Sequence, residues 1–230
     1  MNSKQYDVFL LDADGTLFNF DMAEARALKA VFEINGFAYS DNVLSQYRAI
    51  SKQLWADFEK GNINIDSLQS LRFSRLFEER GVHCNDTTFN QEYLLELGKG
   101  TFLIDGAEEI CREITAEGRS IYIITNGIYQ VQKARIGHSP LKDYISGYFV
   151  SEMVGFQKPD IGYFDYVFSQ IACKKENTLI VGDSLTADIA GGINAGVDTC
   201  WFNEHNAENF TEIRSIYEIT SLYDLRRFLR

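Results

Sequence analysis

Residues 8–20, with the sequence VFLLDADGTLFNF, join a short apolar run to two closely spaced carboxylates. The run Val8-Phe9-Leu10-Leu11 predicts a buried strand over residues 6–11, because it is short, apolar and rich in strand-favouring residues. Asp12 and Asp14 follow at once, with one residue between them. An aspartate after a strand is most often a turn residue or a helix N-cap. Two of them in this place raise the question of whether they also carry out chemistry.

The composition is that of a folded, acidic protein. The chain has 230 residues, of which 45% are hydrophobic, and a formal net charge of −11. This charge repels DNA and RNA, so no nucleic-acid polymer is expected as a partner, and a small anionic substrate needs a local positive site. No apolar run approaches the ~18 residues of a membrane span, and the N-terminus MNSKQYD lacks the signal-peptide pattern. We expect a cytoplasmic monomer or homodimer with no membrane partner.

The cysteines and histidines form no metal-binding or redox pattern. CxxC and HExxH are both absent from the sequence, and the spacings suggest neither a zinc site nor a disulfide framework. We expect ordinary histidines and reduced, mostly buried thiols at Cys84, Cys111, Cys173, Cys200, His83, His138 and His205.

The 80 residues after the first strand have the pattern of a helical bundle. Four segments begin near Asp or Ser and end at Gly, which is the usual punctuation of a helix. They cover residues 21–36, 40–61, 66–81 and 86–98. The second segment has apolar residues at three- and four-residue spacings, which form one stripe on a helix: Val43, Tyr47, Ile50, Leu54 and Phe58.

From residue 100 onward, apolar strand-like runs alternate with helical segments. The predicted strands are 121–124, 148–150, 178–181 and 199–202, and the predicted helices are 107–117, 129–135, 161–171 and 187–194. Such alternation predicts βαβ units and a parallel sheet. The first strand must join this sheet, so the helical block is an insertion. We therefore predict a core domain of residues 1–18 and 100–230 and a helical domain of residues 19–99.

The candidate site lies where the predicted strands end, because parallel sheets bind ligands outside the carboxyl ends of their strands. Each polar residue there has an ordinary explanation when taken alone: an aspartate caps a helix, Thr-Asn-Gly makes a turn, and a lysine is solvated. These explanations weaken jointly, because all must hold at one edge of one sheet. The residues are Asp12, Asp14, Thr125, Asn126, Lys158, Asp183 and Asp188.

The residue types in this set favour a metal and a phosphate. Neighbouring carboxylates repel each other unless a cation lies between them, and oxygen ligands without His or Cys favour Mg²⁺, with Mn²⁺ left open. The carboxylates of Asp12 and Asp183 and the backbone carbonyl of Asp14 are the best ligands. A metal together with Lys158 gives the positive site that a phosphate needs. Thr125 and the amide of Asn126 can hydrogen-bond phosphoryl oxygens, as phosphoryl transfer requires.

Four motifs resemble those of the haloacid dehalogenase (HAD) superfamily, in the same order and with matching spacing. They are DADGTL at 12–17, TNG at 125–127, KPD at 158–160 and GDSLTAD at 182–188. The helical insertion resembles the cap of the first subgroup. The resemblance implies an α/β fold with a HAD-like Rossmannoid three-layer core, a parallel sheet and an inserted all-α, four-helix cap domain.

The resemblance also implies a role for each residue. Asp12 is the nucleophile that forms an aspartyl-phosphate, and Asp14 protonates the leaving oxygen and then takes a proton from water. Thr125 and Lys158 hold the phosphoryl group, and Asp188 acts through water or by orienting Lys158. Dehalogenases and phosphonatases of the superfamily lack an acid at the position of Asp14, so its presence indicates a phosphate ester substrate.

Longer stretches are similar to the bacterial pyrimidine 5′-nucleotidase branch: LWADFEKGNI at 54–63, VSEMVGFQKPD at 150–160 and GDSLTADIAGGINAGVDTCWFN at 182–203. This similarity implies hydrolysis of UMP, dUMP, dTMP and non-canonical analogues. The alternatives are a sugar-phosphate or phosphoglycolate phosphatase of the same fold, a phosphomutase, and a catalytically silent binding protein. Candidates for contact with the base are Phe18, Asn19, Phe20 and Trp55, although each aromatic can equally be ordinary cap packing.

Overall fold

The structure, a computed structural model, describes residues 4–229. Within that range a six-stranded parallel sheet has the order β3-β2-β1-β4-β5-β6. The strands are β1 Val8–Leu11, β2 Ser120–Thr125, β3 Gly147–Val150, β4 Thr178–Gly182, β5 Asp198–Phe202 and β6 Tyr217–Ile219. β1 lies between β2 and β4, with Leu11 opposite both Ile123 and Val181. This register brings the carboxyl ends of the three central strands to one edge.

The helices between the strands fall into two groups. The first four are α1 Phe20–Ile34, α2 Asp41–Glu59, α3 Ile65–Arg80 and α4 Asp86–Gly98. Those that follow are α5 Ala107–Ala116, α6 Tyr129–His138, α7 Ser151–Val154, α8 Ile161–Gln170 and α9 Ala190–Ala195. A π-helical turn spans Leu185–Ile189, and 3₁₀ turns span Pro140–Asp143, Lys175–Asn177 and Leu222–Phe228.

The central strands are apolar on both faces because helices cover both faces. Successive side chains of a strand point to opposite sides of the sheet. In β1, Phe9 and Leu11 pack in one apolar cluster with α5, and Val8 and Leu10 pack in another with α8. The predicted three-layer α/β core with a parallel sheet is confirmed.

The helices α1–α4 supply most of a separate, aromatic-rich apolar cluster. Phe73 has its ring centroid 4.9 Å from that of Phe89, and the two rings meet edge to face. The cluster also includes Ile128 and Val131, at the start of α6. Helix α6 therefore lies between the sheet and the helical block, and it belongs to the packing of both.

In three of these four helices the N-cap residue lies one or two positions before the predicted cap. The side chains of Asn19, Asn64 and Asn85 accept hydrogen bonds from the N–H groups of the first turn, and the aspartates predicted as caps lie inside that turn. Ser40 caps α2 as predicted. The aspartates still favour the helix start, because a negative charge there interacts well with the helix dipole.

Other differences from the sequence prediction are local. The predicted helix 187–194 begins as the π-helical turn at Leu185 and becomes α-helical only from Ala190. The sequence analysis missed β6, a three-residue, partly exposed strand without an apolar run, and the short helix α7. All four cysteines are free, but Cys84 and Cys173 are only half-buried, so the expectation of mostly buried thiols is wrong for these two. None of the helices described in residues 4–229 is long and apolar enough to cross a membrane.

Candidate active site

The residues singled out at the strand ends converge in the structure. Asp12 follows β1, Thr125 ends β2 and Asp183 follows β4, and these three strands are neighbours. Together with Asp14, Asn126, Lys158 and Asp188 they line one cavity of about 330 Å³. The site is thus built from four separate stretches of the chain, as parallel sheets commonly build their ligand sites.

Lys158 is the positive centre of this cavity, and it is only 2% exposed. Its Nζ donates to Asp12 Oδ1 at 2.6 Å, to Asp188 Oδ1 at 2.6 Å and to the backbone carbonyl of Ile124 at 2.9 Å. These three bonds use all the donors of an ammonium group. Although burial works against the charge, the two carboxylates raise the pKa of Lys158 above its ordinary value. A solvated lysine, the ordinary explanation, is ruled out.

Three carboxylates form a compact acidic cluster beside Lys158. Carboxylate oxygens of Asp12, Asp183 and Asp188 lie within 4.8 Å of one another. Burial, reinforced by the charges of Asp188 and Asp183, raises the pKa of Asp12 against the pull of Lys158. Desolvation in the cleft and the charge of Asp188 raise the pKa of Asp183 to about 7. Both shifts have the same two causes: desolvation, which is the larger, and a cluster that carries more negative charge than one lysine neutralises.

The hydrogen bonds distinguish the members of this cluster. Asp188 uses Oδ1 for Lys158 and accepts a bond from the Ser184 N–H at Oδ2, at 3.1 Å. Asp12 accepts from Lys158 only at Oδ1, and its Oδ2 accepts no hydrogen bond from residues 4–229. No side chain of the described residues donates to the Asp183 carboxylate. Asp12 and Asp183 therefore retain free oxygens, whereas Asp188 is occupied with holding Lys158.

The unused lone pairs of the Asp12 and Asp183 carboxylates fit a hard cation such as Mg²⁺, which prefers oxygen ligands. The backbone carbonyl of Asp14 also accepts no hydrogen bond from the described residues, so it can contribute a third oxygen. Gly15 keeps the space around the Asp183 carboxylate open, because a Cβ at Gly15 would lie 2.6 Å from Asp183 Oδ2. The φ angle of +83° at Gly15 also disfavours any other residue there.

The TNG segment presents backbone and hydroxyl groups to the cavity. Thr125 Oγ1 accepts from the Gly127 N–H at 3.0 Å, which leaves its hydroxyl hydrogen free to donate. The Asn126 side chain is engaged at both polar atoms, because it donates to the Lys158 carbonyl and accepts from the Lys158 N–H. The backbone N–H of Asn126 has no acceptor among the described residues and is available for a phosphate. The side chain instead positions the Lys158 loop.

Asp14 is held apart from the acidic cluster by two side chains that the sequence analysis missed. Its Oδ2 accepts from Gln132 Nε2 at 2.5 Å, and its Oδ1 accepts from Arg135 Nη1. Both donors lie on α6 and are buried. Gln and Arg on a helix are usually solvated, so neither residue stands out in the sequence. The available signal was their three-residue spacing just after the TNG motif, which places both on one face of the helix.

The helical block supplies one wall of the cavity. Phe20 and Trp55 line it beside the acidic residues, together with Glu59 at the end of α2. Phe18 is fully buried and does not line this cavity, and the Asn19 side chain caps α1 and lines an adjacent cavity of about 590 Å³. Of the four candidates for contact with a base, Phe20 and Trp55 are therefore the two at this site.

Comparison with known proteins identifies the class to which this fold and site belong. The model of the haloacid dehalogenase-like hydrolases matches residues 6–196, and the chain belongs to this family of hydrolases. The resemblance drawn from the four motifs is confirmed, and so is the HAD-like fold.

Individual relatives match almost the whole chain. The pyrimidine 5′-nucleotidase PynA of Streptococcus pneumoniae (strain ATCC BAA-255 / R6) is 38% identical over 221 residues, which cover 96% of this chain and 93% of PynA. The pyrimidine 5′-nucleotidase YjjG of Escherichia coli (strain K12) is 32% identical over 226 residues, 98% of each chain. A crystal structure of YfnB from Bacillus subtilis, named as a HAD-hydrolase, has a TM-score of 0.91 at 40% identity and covers 99% of this chain and 100% of its own. That structure is bound to magnesium and is described as revealing interdomain movement.

Proposed function

We propose that this protein is a Mg²⁺-dependent phosphatase that hydrolyses pyrimidine nucleoside 5′-monophosphates through an aspartyl-phosphate. The observation that carries the proposal is the convergence of Asp12, Lys158 and Asp183 in one cavity, with an oxygen of Asp12 left free. The 5′-nucleotidase names of two relatives that match nearly the whole chain support the substrate class.

Asp12 is the nucleophile in this proposal. Its Oδ1 accepts from Lys158 and has a second lone pair that would hold the metal, so its Oδ2 is free to attack the phosphorus, and the ester P–O bond breaks. Asp14, in its protonated form, gives its proton to the departing ester oxygen, and the nucleoside leaves as an alcohol. Water then attacks the phosphorus, Asp14 takes up its proton, and inorganic phosphate leaves as the Asp12 carboxylate is regenerated.

The remaining residues bind and orient. Mg²⁺, when held by the carboxylates of Asp12 and Asp183 and the carbonyl of Asp14, supplies positive charge that offsets the carboxylates and the phosphate. Lys158, the Thr125 hydroxyl and the Asn126 backbone N–H bind phosphoryl oxygens. Asp188 holds Lys158 in place through its 2.6 Å bond, and is not itself a ligand.

The helical block is well placed to recognise the substrate, because it lines one side of the cavity. We propose that residues 19–99 act as a cap on a core of residues 1–18 and 100–230. Phe20 and Trp55 line the catalytic cavity from the cap side, and their faces suit a planar base. Two bonds connect the end of α2 to the core: Gln157 Nε2 donates to the Phe58 carbonyl at 2.8 Å, and Thr186 Oγ1 donates to Glu59 Oε2 at 3.4 Å. The cytoplasmic location and the monomeric or homodimeric state remain predictions.

A substrate panel tests the proposal. Phosphate release is measured with Mg²⁺ and again with EDTA for UMP, dUMP, dTMP, AMP, GMP, phosphoglycolate and glucose 6-phosphate. We expect preference for the pyrimidine nucleotides and loss of activity in EDTA. Metal-dependent release from sugar phosphates or phosphoglycolate alone would keep the catalytic assignment and refute the substrate. No release from any ester would refute the phosphatase itself.

A further inference from the structure

We propose that Gln132 and Arg135 are positioning residues that fix the Asp14 carboxylate. We also propose that they connect it to the two segments by which the chain passes between the sheet and the helical block, one at Phe18 and one at Gly100. We call Gln132 and Arg135 the Asp14 seat. The inference rests on the proposed function, because it assigns the seat a part in the proton transfer by Asp14.

The seat donates a hydrogen bond to each oxygen of the Asp14 carboxylate. Gln132 is 1% exposed and Arg135 is 0% exposed, and they lie three residues apart on one face of α6. Gln132 donates to Oδ2 of Asp14 and Arg135 donates to Oδ1. One donor on each oxygen fixes the plane of the carboxylate. Each oxygen keeps a further acceptor site, so a proton can still be exchanged with a substrate.

The Asp14 seat carries an energetic cost. Gln132 Oε1 and Arg135 Nη2 are buried and have no hydrogen-bond partner among the described residues. Unpaired buried polar atoms are unfavourable, and apolar residues would fill the same space without that penalty. The chain also makes room for the seat, since a Cβ at Gly127 would lie 2.3 Å from Gln132 Nε2. A role beyond packing explains both observations.

Arg135 also contacts both segments between the sheet and the helical block. Its Nε donates to the carbonyl of Gly100, where the chain returns from α4, at 2.9 Å. Its guanidinium lies 4.7 Å from the ring centroid of Phe18, where the chain leaves for α1, and 6.0 Å from that of Phe20. One planar cation thus contacts the outgoing segment, the returning segment and Asp14.

These contacts couple the placement of the helical block to the placement of Asp14. Gly100 is itself packed against α1, because a Cβ there would lie 2.5 Å from the Cβ of Ala23. A shift of α1 or of the returning segment therefore moves the guanidinium that holds Asp14. The proton donor is fixed only when the helical block is in its proper place.

The test compares leaving groups in the full-length protein. Gln132→Leu removes the amide at similar size, and Arg135→Lys keeps the charge but loses the planar fork. The matched control is Gln130→Leu on the exposed face of α6. A positioned acid contributes about 10²–10⁴-fold, so we expect a part of this, about 10- to 100-fold, to be lost from kcat for UMP. Turnover of p-nitrophenyl phosphate, whose leaving group hardly needs a proton, should change less than about threefold, as should KM and the Mg²⁺ midpoint.

A double-mutant cycle separates the seat from a structural effect. In an Asp14→Asn background, Gln132→Leu should cause no further loss on UMP, because the group it positions is gone. Equal losses on the two esters, or losses that multiply with those of Asp14→Asn, would overturn the proposal. Gln132→Leu keeps the test decisive if Arg135→Lys does not fold. If Asp14→Asn lowers the rates on UMP and p-nitrophenyl phosphate equally, the proposed role of Asp14 as the acid fails. If Asp14→Asn lowers mainly the rate on UMP and Gln132→Leu does not, only the proposed role of the seat fails.

Discussion

The site contains two sets of ion pairs, one buried and one partly buried, that differ in how they are anchored. Lys158 pairs with Asp12 and Asp188 at the ends of sheet strands, and all three of its donors are used. Arg135 pairs with Asp14 from a helix that also packs against α1–α4, and one of its nitrogens is unpaired. The first pair is a fixed part of the core. The second is tied to the position of the helical block, so we expect the groups proposed to bind phosphate and the group proposed to move the proton to respond differently to motion.

The largest effect should come from the proposed nucleophile, Asp12. Asp12→Asn replaces the carboxylate that we propose attacks phosphorus with a neutral amide, and we expect phosphate release to fall by at least about 10⁴-fold with UMP and with p-nitrophenyl phosphate alike. The fold should persist, because an amide fills the same space. Turnover is measured with Mg²⁺, and circular dichroism serves as the folding control. Retained Mg²⁺-dependent turnover would remove Asp12 from the nucleophile role.

Removal of Lys158 should affect both activity and stability. Lys158→Gln leaves two buried carboxylates unpaired, and breaking a buried pair costs about 3–5 kcal/mol. We expect a loss of this size in the free energy of unfolding, measured by urea denaturation at pH 7 in EDTA. The double variant Lys158→Gln/Asp188→Asn should regain a part of it, since one of the unpaired charges is gone. A double variant no more stable than the single one would show that Asp188 is not held mainly by this pair.

Asp14 should matter only where the leaving group needs a proton. Asp14→Asn removes the acid, and we expect kcat for UMP to fall about 10²–10³-fold, with a much smaller loss for p-nitrophenyl phosphate. The measurement is the ratio of the two rates in the variant and in the unaltered protein. The same loss on both esters would take Asp14 out of the acid role.

The smallest effect should come from an ion pair far from the site. Asp198 accepts hydrogen bonds from Lys4 Nζ and Tyr6 OH at 2.6 Å each. Partial burial alone would raise the pKa of Asp198, but these two bonds outweigh it and lower the pKa. A lowered pKa in the folded state stabilises the protein above the unfolded pKa of about 4, and this contribution is lost as the pH falls through the folded pKa.

We expect Asp198→Asn to lower the free energy of unfolding at pH 7 by at most about 1 kcal/mol, since the pair is partly exposed. The difference from the unaltered protein should shrink toward pH 3, measured by urea denaturation at both pH values. Asp143→Asn, at an exposed position without an ion pair in residues 4–229, is the matched control. A difference that grows on acidification would contradict the assigned direction.

The two ion pairs also show which parts of the site the sequence could predict. Asp12, Lys158 and Asp183 follow strands with clear apolar runs, so the sheet alone brings them together. Gln132 lies 118 residues from Asp14 along the chain, and nothing near Gln132 marks it as buried. Its environment depends on how α6 packs between the sheet and the helical block, which is a tertiary property. For the same reason the use of the Asn126 side chain was not predictable, since its partner is the backbone of a distant loop.

The local differences have local causes. Asparagine and aspartate are both good N-caps, so sequence alone does not decide which of two nearby residues is the N-cap and which lies in the first turn. The π-helical turn at Leu185–Ile189 carries Asp188, whose carboxylate is fixed by Lys158 and by the Ser184 N–H. Turns of this type are rare in general and frequent at functional sites, and the contact with Lys158 involves a residue that is distant in the sequence.

The position of β1 has a consequence for the order in which the molecule is assembled during synthesis. Val8 pairs with Ser120 on one side and with Thr178 on the other, so β1 leaves the ribosome long before either neighbour is made. At about 5–20 residues per second, roughly 6 to 22 seconds pass before its first partner is translated. The helices α1–α4 are complete within this interval, and their aromatic cluster can gather while the apolar strand behind them is still unpaired. The nascent chain must therefore protect Val8–Leu11 from wrong partners until β2 arrives, and Asp12 and Asp14 at its end give that exposed segment a charged border.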